Sequence, residues 1–394
     1  MRKPALSFVL AAAVAALLAA QNDAPPVREN GYWTRTVQGS INTSGMERLR
    51  VVTTGSVRLH GTGDSQASYV IKLRVRATDA REAQRLLDQV NVKTGTEGGW
   101  TYIRITPPRR VSSGAGLDLT VTGPRTLRDV RVETLGGDVE ASGWDGGFEA
   151  RSAGGRVAID GIGGSSEVRT AGGDIQVGTV GGDLRCSSGG GGIRVQKAGG
   201  AMWLETGGGE IVVHEAGGDV HAETGGGNIR IDRAVGTVLA RTAGGLIQVQ
   251  QAGGMVTAET SGGAIQVDSA KGVRCESAGG AIRLRNVSGA LHASANSGSI
   301  LAQLVANQPL GNSLLSTNAG DITVFIPSNL ALTIQATNET GGPGRIVSDF
   351  AQVRPQNGGL AGVGPAVAQG ELNGGGPLLR LNAMGGTIYL RRQR

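Results

Sequence analysis

Apolar and polar positions alternate with a fixed period through the middle of the chain. Paired glycines recur every 9 residues from Gly154 to Gly226, and again from Gly244 to Gly262. Each unit reads Gly-Gly-x-apolar-x-apolar-x-x-small, as in GGDIQVGTV from Gly172. The alternating apolar residues predict a short strand with one buried face, and the glycine pair predicts a tight turn. Nine residues therefore predict one strand and one corner.

A second period is nested inside the first. Units with a bulky inward pair, such as Ile211 and Val213, alternate with units that have a smaller pair, such as Val220 and Ala222. Five units of the smaller class have a hydroxyl residue two positions after the inner one: Thr206, Thr224, Thr242, Thr260 and Ser277. The coil is therefore about 18 residues with two unlike strands. This pattern predicts an all-β fold, a parallel β-solenoid (β-helix) of two-strand coils with a β-rich N-terminal cap and a C-terminal cap.

The N-terminus has the pattern of an export signal. Arg2 and Lys3 precede an apolar run from Leu6 to Ala20, which predicts a secretory signal peptide at 1–20. No later run reaches the ~18 apolar residues that a membrane helix needs, so we expect no transmembrane segment in the mature chain. The predicted location is periplasmic, extracellular or at the cell surface.

Composition shifts divide the mature chain into three regions. We predict an N-terminal β-rich cap with one short helix at 31–130, the solenoid at 131–305, and C-terminal strands with a final coil at 306–394. The helix is predicted with Thr78 as its N-cap and apolar residues at helical spacing from Ala83 to Val90. The segment 341–377 is rich in Gly, Pro, Asn and Gln, and a flexible loop is expected there.

Charge argues against nucleic-acid binding, and the positions of the two cysteines argue against a disulfide. The net charge is +6 over 394 residues, and basic residues alternate with acidic ones, so no nucleic-acid track is expected. Cys186 and Cys275 both occupy the small inward position of the repeat. At ~4.8 Å per strand, five coils separate them by ~24 Å, far beyond the ~7 Å Cα limit of a disulfide. We predict that both are buried small residues.

The repeat length invites comparison with the calcium-binding nonapeptide, but the ligand position is wrong. That motif needs an acidic residue at position 6, where this chain has Val177, Val195 or Ile231. The acids at position 3 are predicted to cap turns instead: Asp174, Asp183, Glu210 and Asp219. We predict no metal and no cofactor.

One group of outward side chains has the chemistry of a site. Trp203, Glu205, His221 and Glu223 are predicted to lie within two adjacent coils. Two carboxylates beside a histidine could serve acid/base chemistry or hold a metal, and an exposed tryptophan could stack on a sugar. The alternative is a solvated ladder without a ligand. We therefore predict no catalytic residues and treat the four side chains as a candidate ligand-contact patch.

Three segments carry a family resemblance. They are LRVVTTGSVRLHG from Leu49, LDLTVTGPRTLRDVRVETLGGDVEASG from Leu117, and GDITVFIPSNLALTIQAT from Gly320, followed by a late GGTIYL. With these motifs the chain resembles the bacterial "putative adhesin" family of unknown function, whose members are exported and have a β-helical body. Its regular Gly-Gly corners and the segment 341–377 depart from the family pattern.

The resemblance and the repeat together define two functional hypotheses. The first is a non-enzymatic, adhesin-like or scaffolding β-solenoid that presents a repetitive surface to a cell-envelope or extracellular partner, such as a polysaccharide or an envelope protein. The alternative is a polysaccharide-active enzyme, a lyase or hydrolase, because parallel β-helices often carry such activities.

Overall fold

The chain is nearly all β. The computed structural model describes residues 25–42, 45–107, 116–306, 310–342, 344–357 and 364–393. Within these ranges there are one helix and 36 strands, which confirms the predicted β-solenoid. The chain divides into two compact units, Met1–Gly189 (unit 1) and Gly190–Arg394 (unit 2). The predicted signal peptide at 1–20 lies outside the described residues.

Unit 1 contains the helix and fifteen strands. The helix is α1 (Ala80–Leu87), and the strands are β1 (Val27–Glu29), β2 (Tyr32–Ile41), β3 (Arg48–Thr53), β4 (Ser56–Thr62), β5 (Ala67–Val75), β6 (Asn91–Glu97), β7 (Trp100–Thr106), β8 (Gly116–Pro124), β9 (Asp129–Thr134), β10 (Val139–Trp144), β11 (Gly147–Ser152), β12 (Val157–Ile162), β13 (Ser166–Thr170), β14 (Ile175–Val180) and β15 (Leu184–Ser188). Sheet A has the order β1-β2-β5-β8-β4-β10-β12-β14. Sheet B has the order β6-β7-β3-β9-β11-β13-β15.

Unit 2 repeats the same plan with 21 strands. They are β16 (Ile193–Ala198), β17 (Met202–Thr206), β18 (Ile211–Ala216), β19 (Val220–Thr224), β20 (Ile229–Ala234), β21 (Val238–Thr242), β22 (Ile247–Ala252), β23 (Val256–Thr260), β24 (Ile265–Val267), β25 (Ala270–Ser277), β26 (Ile282–Arg285), β27 (Val287–Ala295), β28 (Ile300–Gln303), β29 (Ser313–Thr317), β30 (Ile322–Ile326), β31 (Leu332–Asn338), β32 (Ile346–Ser348), β33 (Arg354–Asn357), β34 (Ala366–Leu372), β35 (Leu378–Ala383) and β36 (Ile388–Arg392). Sheet A runs through the even-numbered strands from β16 to β30 and ends β30-β36-β32. Sheet B runs through the odd-numbered strands from β17 to β29 and ends β29-β35-β31-β34-β33.

The strand register confirms the 18-residue coil. In sheet B of unit 2, Val220 pairs with Val238 and Val238 pairs with Val256, an offset of 18 residues at each step. The next pair, Val256 with Val273, absorbs the one-residue deletion without turning the inward face outward. Each inward side chain therefore packs on its counterpart in the neighbouring coil, and these side chains form the buried core.

A ladder of buried hydroxyl groups links successive corners. Thr242 Oγ1 donates to the carbonyl of Gly227 in the previous coil at 2.9 Å and accepts from the amide of Gly245 at 3.1 Å. Thr260 makes the same pair of bonds, to Gly245 at 3.1 Å and from Gly263 at 3.1 Å. Corner residues have no strand partner for these backbone groups, so the hydroxyl supplies one. The hydroxyl residues seen in the sequence are therefore structural ties between coils.

Side-chain oxygens link coils at both kinds of corner: Asp219 lies at the corner that leads into sheet B, and Asn228 lies at the corner that leads into sheet A. Asp219 Oδ1 accepts from the amide of Thr237 at 2.7 Å, and Asn228 Oδ1 accepts from the amide of Leu246 at 2.8 Å. The bond from Thr237 holds the pKa of the Asp219 carboxyl below its ordinary value. The predicted turn-capping role is confirmed for Asp219, whereas the Glu210 carboxylate pairs with Arg194 at 3.4 Å instead.

The helix in unit 1 begins one residue later than the predicted N-cap implies. Asp79 is the N-cap and accepts from the amide of Glu82 at 2.9 Å. Thr78 instead donates to the Glu82 carboxylate through its amide at 2.7 Å and its hydroxyl at 2.6 Å. Asp79 is the N-cap because its carboxylate accepts the bond from the Glu82 amide, while the Glu82 side chain folds back onto Thr78. Arg35 then fastens the helix end through Asp88 at 2.7 Å.

Parallel coil pairing extends beyond the predicted solenoid range of 131–305. In unit 1, strands β3 and β4 form a coil that lies between the coil of β7 and β8 and the coil of β9 and β10. The inward residues of β3 and β4, such as Leu49 and Leu59, alternate as in the repeat. Among the described strands of unit 1, the antiparallel pairing expected of a cap is confined to β1 with β2, β2 with β5, β5 with β8, and β6 with β7.

In unit 2, the described part of 341–377 contains strands where a flexible loop was expected. That segment contains β32, β33 and β34, and β34 pairs antiparallel with both β31 and β33. Buried Phe350, Val353 and Ala368 supply apolar anchors that the Gly/Pro-rich composition concealed. The final coil of β35 and β36 lies between the coil of β29 and β30 and the coil of β31 and β32.

Both cysteines are free and buried, as predicted from their inward positions. Burial raises the pKa of the Cys275 thiol to about 12, and burial likewise raises the pKa of Cys186. Neither thiol has the exposed, electropositive surroundings that make a cysteine reactive.

Candidate functional site

The four predicted patch residues lie on two adjacent strands of unit 2. In the register of β17 and β19, Trp203 pairs with His221 and Glu205 pairs with Glu223. His221 Nε2 lies 3.6 Å from Glu223 Oε2. Trp203 is 42% exposed, which is unusual for a large apolar side chain on this surface. The side chains therefore form two parallel rows on the outer face of sheet B.

The carboxylate row continues through the following coils. Glu223 pairs in register with Arg241, Arg241 with Glu259, and Glu259 with Glu276. Arg241 holds Glu259 with bonds of 2.9 and 3.3 Å, and this contact raises the pKa of the guanidinium. The row thus places one guanidinium among four carboxylates at the spacing of neighbouring strands, ~4.8 Å.

This row borders a groove of about 700 Å³ along one corner of unit 2. The groove lining is polar and repetitive: Glu205, Glu223, Arg241, Glu259 and Glu276 on one side, the threonine ladder beneath, and small corner residues such as Ala243 and Ser261. Asn296 and Asn318 close the series, with Asn318 Nδ2 donating to Asn296 Oδ1 at 2.7 Å. The small residues at the corner are what leave the groove open.

The groove separates the predicted patch into two pairs. Glu205 and Glu223 line it, whereas Trp203 and His221 belong to the neighbouring row and do not. Arg241, Glu259 and Glu276 occupy the same repeat position as Glu205 and Glu223. Asn296 and Asn318 lie in weaker repeats and were not predicted as site residues. The sequence signal that could have identified them is their position, because each directly follows the sheet B strand of its coil, β27 or β29.

The groove side chains offer hydrogen-bond donors and acceptors to solvent. Across the described ranges, no group of three or more His, Cys, Asp or Glu side chains could hold a metal ion. The side chains of Glu205 and Glu223 are both exposed.

Among the described residues, no helix is long and apolar enough to cross a membrane.

Several solved structures of bacterial proteins are similar to this chain. The chain is similar to a "putative adhesin" from Bacteroides fragilis, with 14% identity, 76% of this chain and 97% of that chain covered, and a TM-score of 0.25. A "putative adhesin" from Parabacteroides merdae has 12% identity, coverage of 64% and 96%, and a TM-score of 0.35. A "putative lipid binding protein" from Parabacteroides distasonis has 13% identity, coverage of 76% and 99%, and a TM-score of 0.27. No curated protein matches the sequence.

A family model matches part of unit 2. Residues 209–353 match the model of the Toastrack family, DUF4097, and the matched range covers the groove residues from Glu223 to Asn318. The resemblance to the bacterial "putative adhesin" family, seen first in the sequence motifs, is thereby confirmed over residues 209–353.

Proposed function

We propose that the protein is a non-enzymatic, adhesin-like binding protein that is exported and holds a linear polysaccharide of the cell envelope or its surroundings along the groove of unit 2. The observation that carries this proposal is the repetition of polar side chains along the groove, one set for each coil. A linear polymer can contact such a series at several points, so that weak individual contacts add up.

The side chains of the groove suit neutral hydroxyl groups. Carboxylates accept bonds from hydroxyls, whereas Arg241 and the Asn318 amide donate them. Trp203 stands in the adjacent row, where its ring offers a flat apolar surface of the kind that stacks on a sugar. The same surface could instead serve as a scaffold that contacts an envelope protein.

A binding array of glycans and envelope polymers tests the proposal. The purified mature protein is compared with Trp203→Ala and with the double variant Glu205→Gln, Glu223→Gln. Glu215→Gln serves as the control, because this half-buried glutamate lies on sheet A and pairs with Lys197 at 3.2 Å. We expect selective binding that the double variant weakens and the control retains.

Two outcomes would contradict the proposal. If no polymer binds either protein, a polysaccharide partner is wrong and a protein partner or a purely structural role replaces it. If the protein depolymerises a bound polysaccharide, and replacing Glu205, His221 and Glu223 together abolishes that activity, the enzymatic alternative is correct.

Export is tested separately from binding. We expect the protein recovered from the periplasm or medium to lack the predicted signal peptide at 1–20, and N-terminal sequencing of the recovered protein reads the cleavage site directly.

A further inference from the structure

A second surface of defined chemistry lies on sheet B of unit 1, at its N-terminal edge. It consists of Arg48, Lys93, Trp100, Tyr102 and Arg104, which we call the arginine–aromatic patch. Lys93 pairs in register with Arg104 across β6 and β7, and β3 lies on the other side of β7. The outward side chains of β7 alternate with buried Ile103 and Ile105, so the patch faces solvent.

Aromatic rings position the arginines of this patch. The guanidinium of Arg48 lies 5.5 Å from the centre of the Trp100 ring, and the guanidinium of Arg104 lies 5.5 Å from the centre of the Tyr102 ring. Arg131 on β9 also lies over Trp100, at 5.2 Å. Stacking on a ring restricts a guanidinium that would otherwise be flexible, while its N–H edge stays available to an anion.

Glycine at one position allows this packing. A Cβ atom on Gly95 would lie 2.9 Å from Tyr102 Oη, which is closer than real contacts of that kind. The missing side chain leaves room for the Tyr102 ring, over which Arg104 lies, to extend across β6.

The cations of the patch are not neutralised by neighbouring acids. Across the described residues, Arg48, Lys93 and Arg104 form no ion pair, whereas the adjacent Arg50 pairs with Glu133 at 2.9 Å. Three charges therefore remain on three neighbouring strands. Arg104 and Lys93 face each other across β7 and β6, ~4.8 Å from strand to strand, whereas Arg48 lies on β3 level with Trp100, roughly 13 Å farther along. Two of these charges are held in place before any ligand arrives, which lowers the entropic cost of binding.

We infer that the arginine–aromatic patch binds an acidic polysaccharide, through carboxylate or sulfate groups carried on successive sugar residues. The guanidinium fork matches such planar anions with two parallel hydrogen bonds. This binding site is separate from the groove of unit 2 and does not depend on the function proposed for it.

The density of charge distinguishes this ligand from nucleic acid. Duplex DNA carries a negative charge every ~1.7 Å of its axis, and a chain of that density would also meet the carboxylates of Glu97 and Glu133, which lie on β6 and β9 beside the patch. A polysaccharide with one charge per sugar residue places its anions farther apart, so it can contact the cations and avoid the glutamates.

Binding to immobilised polygalacturonate tests the inference, with the full-length mature protein at low ionic strength. The double variant Lys93→Gln, Arg104→Gln removes two charges from the patch. Its matched control, Arg81→Gln, Arg85→Gln, removes two charges from exposed positions of helix α1 in the same unit. We expect the patch variant to bind roughly tenfold more weakly, at two- to fivefold per exposed charge, and the control to bind like the unmodified protein.

Trp100 tests the positioning role of the rings. Trp100→Phe keeps a ring beneath Arg48 and is expected to retain binding, while Trp100→Leu is expected to weaken it. The urea unfolding midpoint of each variant separates this effect from a loss of folded protein. If Trp100→Leu is folded and binds as tightly as Trp100→Phe, the ring does not position the arginine.

Three results overturn the inference. They are the absence of polygalacturonate binding by the unmodified protein, an equal loss of binding in the patch and control variants, and tighter binding of duplex DNA than of polygalacturonate under the same conditions. Loss of binding in the groove variant Glu205→Gln, Glu223→Gln would assign the polymer to unit 2 instead, so failure of this inference is distinguishable from failure of the proposed function.

Discussion

Replacing Thr260 by valine removes one tie between coils while preserving the shape of the side chain. The variant loses the bond that Thr260 donates to the Gly245 carbonyl and the bond that it accepts from the Gly263 amide. Gly245 is buried, so its carbonyl cannot recover the bond from bulk water. A buried acceptor left without a donor costs about 1–3 kcal/mol. We expect Thr260→Val to lower the free energy of unfolding by about 2 kcal/mol, or the Tm by about 4–8 °C for a unit of this length.

Two further variants isolate the hydroxyl group. Thr260→Ser keeps it and loses one methyl group, at a cost of about 0.8 kcal/mol or less, and serine already occupies the ladder at Ser277. Thr257→Val makes the same chemical change on the outward face of the same strand, where we expect a change within about 0.5 kcal/mol. Thermal and urea unfolding followed by circular dichroism compare all three. If Thr260→Val is as stable as Thr257→Val, the hydroxyl ladder does not tie the coils together.

Other predictions concern the corners and the thiols. A Cβ atom on Gly263 would overlap the carbonyl oxygen of Gly245, whereas one on Gly262 would lie 3.5 Å from its nearest neighbour. We therefore expect Gly263→Ala to lower the free energy of unfolding by about 1–3 kcal/mol or more and Gly262→Ala to be tolerated. Urea unfolding measures both effects. Cys186 and Cys275 should not react with a water-soluble disulfide reagent in the native protein and should react fully in denaturant, because burial keeps both thiols protonated. Rapid modification of either thiol without denaturant would contradict their packing.

The repeat could be predicted because each coil imposes the same local requirement. An inward pair such as Val220 and Ala222 needs the same spacing in every coil, and the corner after it needs a glycine. Local pattern therefore defines strand, corner and register together. The terminal coils could not be predicted in this way, because β3 and β35 pair with strands from both earlier and later in the stack, and no local pattern encodes that choice.

The candidate sites show the same division between contacts that the repeat predicts and contacts that depend on the order of the coils. Glu205 and Glu223 could be placed side by side, since a shift of one coil within a regular repeat brings them together. Trp100 and Arg48 are 52 positions apart in sequence and meet only because the coil of β3 and β4 lies next to β7. A contact of that kind follows from the order of the coils, which the sequence pattern leaves open.

The interleaved coil at the end of unit 2 links folding to the completion of synthesis. A chain released before residue 378 lacks β35 and β36, yet their neighbours on both sides have already been made. Strands β29, β30, β31 and β32 would then present unpaired edges of the kind that promote aggregation. The arrival of the last coil closes four edges at once. An incomplete product is therefore physically distinct from a complete one, and proteases and chaperones of the cell can recognise the difference by its open strands alone.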